Sequence, residues 1–175
     1  MDTNQKNSGC GIDQLCPNCG LCCDSTLFAD VELKKGDDPQ RLVKLGMPVA
    51  QKTKTKLAAP QPCACFDGKF CSIYADRPRQ CRLFECGLLK RVQGGEMNAA
   101  AALRKISEAK RLAEKVRRLL RASGQRDEQM ALAQRYAAAM QAPVDFSVEG
   151  AADQRGELML AVNELMQMLE RDFLR

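Results

Sequence analysis

Eight cysteines fall in two compact groups in the first half of this 175-residue chain, and there is no histidine anywhere in it. The first group is Cys16-Pro17-Asn18-Cys19-Gly20-Leu21-Cys22-Cys23; the second is Cys63, Cys71, Cys81 and Cys86. Thiols at such short spacing are metal ligands. Without imidazole the site must be built from thiolates, aided at most by a carboxylate, which restricts the metal to one that favours sulfur: zinc or an iron–sulfur cluster. Cys16, Cys19 and Cys22 recur every third residue, and a helical turn or tight loop aims three sulfurs so spaced at one point. Cys22 and Cys23 are different, because adjacent side chains diverge. Cys23 therefore serves a second metal, bridges a polynuclear cluster, or stands outside the site as a reactive thiol.

Both metals suit part of the pattern. Cys16-Pro17-Asn18-Cys19-Gly20 has the form of a zinc knuckle, in which the glycine takes a backbone shape closed to other residues. C-x2-C-x2-C is also how many iron–sulfur clusters collect three of their four ligands from one loop, although the C-x3-C-P continuation of a bacterial ferredoxin is missing here. The adjacent pair fits a multi-iron site better than one tetrahedral ion. Carboxylates beside cysteines, Asp24 and Glu85, are expected to face solvent.

The elements that must position these thiols are short. The chain is 45% hydrophobic but only 5% aromatic, and its ten cysteines all lie between Cys10 and Cys86. Segments so dense in cysteine commonly need disulfides or metal as staples. The N-terminus lacks the apolar run of a signal sequence and no stretch is long enough for a membrane span, so a cytoplasmic location is expected, with its thiols reduced. Residues 1–11 read as a disordered leader, 12–92 as the cysteine-cluster module and 93–175 as a helical region. The fold class expected is small α+β: a loop-rich, metal-stabilised module followed by about three helices.

Within the module, Phe28 to Leu33 is an extended candidate. Asp38-Pro39 opens a helix, with aspartate as cap and proline at the first position, that ends at Gly46. Lys52 to Leu57 alternates as one strand, and Phe70 to Tyr74 is another after a turn at Asp67-Gly68. After Gly94-Gly95 the periodicity predicts helices over Asn98–Ala122, Asp127–Gln141 and Asp153–Leu174. Met159, Met166 and Met168 on the last are expected in the core.

The interleaved residues carry a resemblance. C-x2-C-x2-C-C, then Pro62-Cys63, then Cys71-x2-Tyr74-x2-Arg77-Pro78-x2-Cys81-Arg82-x-Phe84-x-Cys86 resembles the YkgJ-type cysteine-cluster family of zinc- or iron-chelating proteins. The resemblance covers about Cys16 to Cys86; Cys10, Cys65 and everything from about Gln93 lie outside it. It implies a bacterial cytoplasmic protein that chelates an iron–sulfur cluster or zinc. A similar cluster in flagellin lysine methylases points to an enzymatic role, and an iron–sulfur site would make that role redox or cluster-dependent.

Four thiolates on a dication leave negative charge, and Arg77 and Arg82 stand where they would offset it beside the ligands; bonds to backbone carbonyls are the structural alternative for both. Tyr74 is expected in the core of this aromatic-poor module. No phosphate loop and no Ser/His/Asp set is present. The net charge of +5 is concentrated in the helix over residues 98–122, where Glu108 and Glu114 face many more cations. A solvated face is the first reading of that helix. The rival function is a structural zinc module that presents these basic helices to an acidic protein or RNA partner.

Overall fold

The computed structural model describes residues 15–145, 147 and 149–175. Cys10 and the leader expected over residues 1–11 lie outside the described residues. The architecture is α+β, with strands β1 (Asp30–Glu32), β2 (Ala50–Thr53) and β3 (Lys56–Pro60) in the cysteine-rich part. Helices α1 (Leu15–Cys19), α2 (Pro39–Lys44), α3 (Arg79–Leu83) and α4 (Gly87–Gln93) are short. Longer helices α5 (Ala99–Ala122), α6 (Leu132–Gln141) and α7 (Ala151–Leu169) make up the C-terminal region. Among the described residues no helix is long and apolar enough to cross a membrane.

The sheet is antiparallel in the order β1-β3-β2, with Val31 opposite Ala59 and Gln51 opposite Leu57. Residues 50–60 form a hairpin where the sequence alternation predicted one strand, because Lys54 and Thr55 turn the chain between two shorter segments. Phe70 to Tyr74 is likewise not a strand: a single bridge joins Phe66 to Cys71, and Tyr74–Asp76 is a 3-10 turn. Asp67 does make the expected turn, its carboxylate accepting from the amides of Lys69 and Phe70 at 2.8 and 2.7 Å.

α2 starts as its sequence dictates. The Asp38 carboxylate accepts from the Arg41 amide at 3.0 Å, and Pro39 occupies the first turn, where its missing N–H costs nothing. α5 is capped by Asn98, whose side chain accepts from the Ala101 amide at 2.8 Å. α6 begins at Leu132 and not at Asp127. Asp127 instead closes a turn on the Gln129 amide, and the Leu132 amide is taken by the Ser25 hydroxyl from the cysteine loop.

Two apolar cores result. The larger contains Ile106, Ala109, Ala113, Val116 and Leu120 of α5 with Leu158, Leu165 and Leu169 of α7, and it also takes in Leu15, Leu21 and Leu88 from the cysteine-rich part. The smaller is built from Val31, Leu42, Met47, Ala59 and Ile73, with Cys63 and Cys65 buried in it. The methionines of α7 divide. Met168 is buried, whereas Met159 and Met166 are half-exposed because they project from the side of the helix away from α5.

Several cations of α5 turn inward and fasten the two parts of the chain. Lys110 donates to the Asn18 carbonyl at 2.8 Å. Arg117 donates to the Asp24 carbonyl at 3.0 Å and the Thr26 hydroxyl at 2.9 Å, and pairs with the Asp24 carboxylate at 3.0 Å. Arg121 is held between Glu114 and Glu128 at 2.6 and 2.8 Å. Arg104, Arg111 and Arg118 have no ion-pair partner among the described residues, so the free cationic face is narrower than the sequence suggests.

Asp172, 1% exposed, is the point where α4, α5 and the end of the chain meet. It binds Arg91 at 2.8 Å, Lys105 at 3.0 Å and Arg171 at 2.9 Å. Burial alone would raise its carboxyl, but the three cations overcome this and hold it at about 2, below the ordinary 3.8. A carboxylate depressed in this way stabilises the fold fully above pH 4 and loses that contribution as the pH falls toward 2, a difference on the order of 2 kcal/mol. Asp172→Asn should lower stability at pH 7 by about 2 kcal/mol. It should also flatten the decline between pH 4 and 2, read from urea midpoints at a series of pH values. A decline as steep as the parent's would place the acid sensitivity elsewhere.

Candidate metal centre

α1 ends at Cys19, and the chain reverses at Gly20, whose φ of +72° only glycine adopts without strain. The amides of Cys23 and Asp24 both donate to the Gly20 carbonyl, at 2.8 and 3.0 Å, closing a tight turn that carries Cys22 and Cys23. The Cys63 amide then donates to the Cys23 carbonyl at 2.8 Å, which brings the second group of cysteines against the first. Cys71 is aligned by its bridge to Phe66. Cys81 rides on α3, whose start is fixed by the Arg79 amide donating to the Asp37 carboxylate at 2.8 Å. Cys86 sits at the head of α4, its sulfur accepting from the Leu89 amide at 3.4 Å.

All eight of these cysteines line one cavity of about 380 Å³ between the two apolar cores. Its walls are strongly apolar: Leu15, Leu27 and Ile106 on one side, Val31, Met47 and Phe66 on the other. Phe28 and Phe84 also line it, in edge-to-face contact at 4.9 Å. The cysteines of the described residues are free thiols. No three cysteine, aspartate or glutamate side chains among the described residues converge tightly enough to hold a single metal ion. Cys65 is not at the cavity; it is buried in the smaller core, its thiol donating to the Leu45 carbonyl at 3.8 Å.

The setting makes six of these thiols hard to ionise on their own. Burial pushes Cys19 and Cys23 up to about 12 and Cys63 and Cys81 to about 11, and it also raises Cys16 and Cys22. Neighbouring cysteines raise them further, since each thiolate repels the next. Arg77 opposes this at Cys16 and Cys81. A metal cation would reverse the balance, and soft sulfur donors that lose their protons on binding it are a set that fits zinc or iron.

Of the two arginines beside the motif, Arg77 lines the cavity. Its Nε donates to the Tyr74 carbonyl at 2.8 Å, and its guanidinium lies 3.5 Å from the centre of the Tyr74 ring. Arg82 is exposed and is not at the cavity wall. Tyr74, expected in the core, is 54% exposed because it forms the outer layer of that stack. Asp24 is bound by Arg117, and Glu85 accepts from Gln93 at 3.4 Å. No local pattern marks Ile106 and Phe173, which bring the helical region to the cavity wall, or Lys110 and Arg117, which anchor the cysteine loop to it.

Gly20 allows a test of this geometry. A Cβ there would lie 2.5 Å from Cζ of Phe66, and the left-handed backbone adds its own strain. Gly20→Ala should cost about 1–2 kcal/mol from the backbone alone and more from displacing the ring. It should weaken metal retention against a chelator, with the denaturant midpoint and metal content measured together. Unchanged retention would show that the turn does not set the positions of Cys19 and Cys22.

Among curated proteins and solved structures there is no match to the chain. A family model does match it over residues 15–117, more than half of its length: CxxCxxCC, "Putative zinc- or iron-chelating domain". The matched span takes in every cysteine at the cavity and runs on through α4 into α5 as far as Arg117, the residue that grips the cysteine loop. The chain belongs to the CxxCxxCC family of zinc- or iron-chelating domains.

Proposed function

We propose that this protein is a cytoplasmic iron–sulfur protein with a redox role, its iron held by Cys16, Cys19, Cys22, Cys23, Cys63, Cys71, Cys81 and Cys86. One observation carries the reading: the eight thiols surround a shared space of about 380 Å³ and no three close on a single point. Four sulfurs around one zinc ion stand about 2.3 Å from it and therefore only roughly 3.8 Å from one another, which leaves no room at the centre. Sulfurs spread around a larger space suit a polynuclear group. When bound, such a group supplies one-electron redox chemistry at a potential set by charge, hydrogen bonds and solvent exposure.

The chain's own residues supply those settings. Leu27, Val31, Met47 and Phe66 make the cavity wall apolar, which strengthens the charge interactions beside it. Arg77, fixed by the Tyr74 carbonyl and ring, places a positive charge near Cys16 and Cys81. Lys110 lowers the cost of charge at Cys19 while holding α1 through Asn18.

The full chain purified without oxygen should be brown and contain iron and acid-labile sulfide in comparable amounts. Colourless protein with zinc and no labile sulfide would replace this reading with a structural zinc module. If the cluster is redox-active, Arg77→Gln should lower its midpoint potential, because a lost cation disfavours the reduced, more negative state. Arg82→Gln should leave the potential unchanged. Equal potentials for the parent and both variants would restrict Arg77 to bracing its loop.

A further inference from the structure

We propose that the eight cysteines form two four-sulfur sites whose membership crosses the order of the chain. Cys86 completes the site of Cys16, Cys19 and Cys22, while Cys23 belongs with Cys63, Cys71 and Cys81. This rests on the metal-binding reading above and adds to it which thiols act together.

Packing divides six of the eight in this way, and Cys16 and Cys22 flank Cys19 at intervals of three residues. Cys19 and Cys86 lie against the larger core, beside Leu15, Leu21 and Leu88. Cys23, Cys71 and Cys81 lie against the smaller core, in which Cys63 is buried. The backbone agrees: the Cys63 amide bonds the Cys23 carbonyl at 2.8 Å, fixing Cys23 beside the second group. Cys86 meanwhile heads α4, whose Leu88 is buried in the same core as Leu15 and Leu21.

The adjacent pair is thus explained by the divergence of neighbouring side chains, each turned to a different quartet.

Paired serine substitutions in the full chain, loaded anaerobically with iron(II) and sulfide, separate the groupings. Total bound iron and zinc per chain is the readout. Cys23→Ser with Cys63→Ser should retain about half of the parent's metal, and so should Cys16→Ser with Cys86→Ser. Cys16→Ser with Cys23→Ser should retain almost none. Grouping in chain order gives the reverse, and a single eight-sulfur site gives none in all three; either result overturns the proposal. Should a double variant unfold, single variants decide through paramagnetic resonance of the reduced protein. Cys86→Ser must lose the same spectral component as Cys16→Ser, and Cys23→Ser the same as Cys63→Ser; any other pairing rejects the assignment. A parent chain that takes up no metal would instead remove the functional reading on which the assignment stands.

Discussion

A thiol turned into an apolar space resists ionisation, and this chain turns eight of them into one. Moving Cys19 from its ordinary 9.0 to about 12 corresponds to on the order of 4 kcal/mol against the thiolate, with each neighbouring sulfur adding to the opposition. Such a cavity is comfortable in two states only: protonated, or filled by a cation that binds sulfur. Disulfides are a further outlet for close thiols in general, but the cysteines of the described residues are all free. The absence of histidine removes the neutral ligand that would soften the site's charge. The rest of the fold answers to that electrostatic demand.

It answers first by supplying walls. Residues 24–62 contribute the sheet and α2, which yield only a small core around Val31, Leu42 and Ile73. That core covers one side of the cavity. The other side needs the helices: Ile106 of α5, together with Phe173 beyond α7, closes it, and Lys110 and Arg117 tie α1 and the loop after Cys23 to the same helix. These cations bond backbone carbonyls and so also satisfy polar groups that the short, irregular cysteine segment leaves unpaired. The helix α5 thus stabilises the loop that carries the first group of cysteines.

The difference between local and distant interactions explains what the sequence could reveal. α5 was legible because Asn98 caps it and apolar residues recur at three and four; α2 was legible in Asp38-Pro39. The cysteines that meet at the cavity were legible as candidates because short spacing survives folding. The hairpin at residues 50–60 was not, since a turn at Lys54-Thr55 carries no glycine or proline to announce it. The bonds from Lys110 to Asn18 and from Arg117 to Asp24 span 92 and 93 residues, and no local pattern encodes them. Met159 and Met166 misled because helical spacing alone does not say how wide the buried stripe is. α7 faces one long helix, α5, and leaves its outer side open.

Cys22 and Cys23 show how a local rule becomes a global one. Divergence of adjacent side chains is a property of any backbone, and by itself it says only that the two sulfurs part. The turn at Gly20 converts this into architecture, because the Cys23 amide and the Asp24 amide share one carbonyl and hold the pair at the seam between the two cores. From there Cys23 is tied through its carbonyl to the Cys63 amide. Two groups of thiols that the chain keeps tens of residues apart are in this way brought to one cavity.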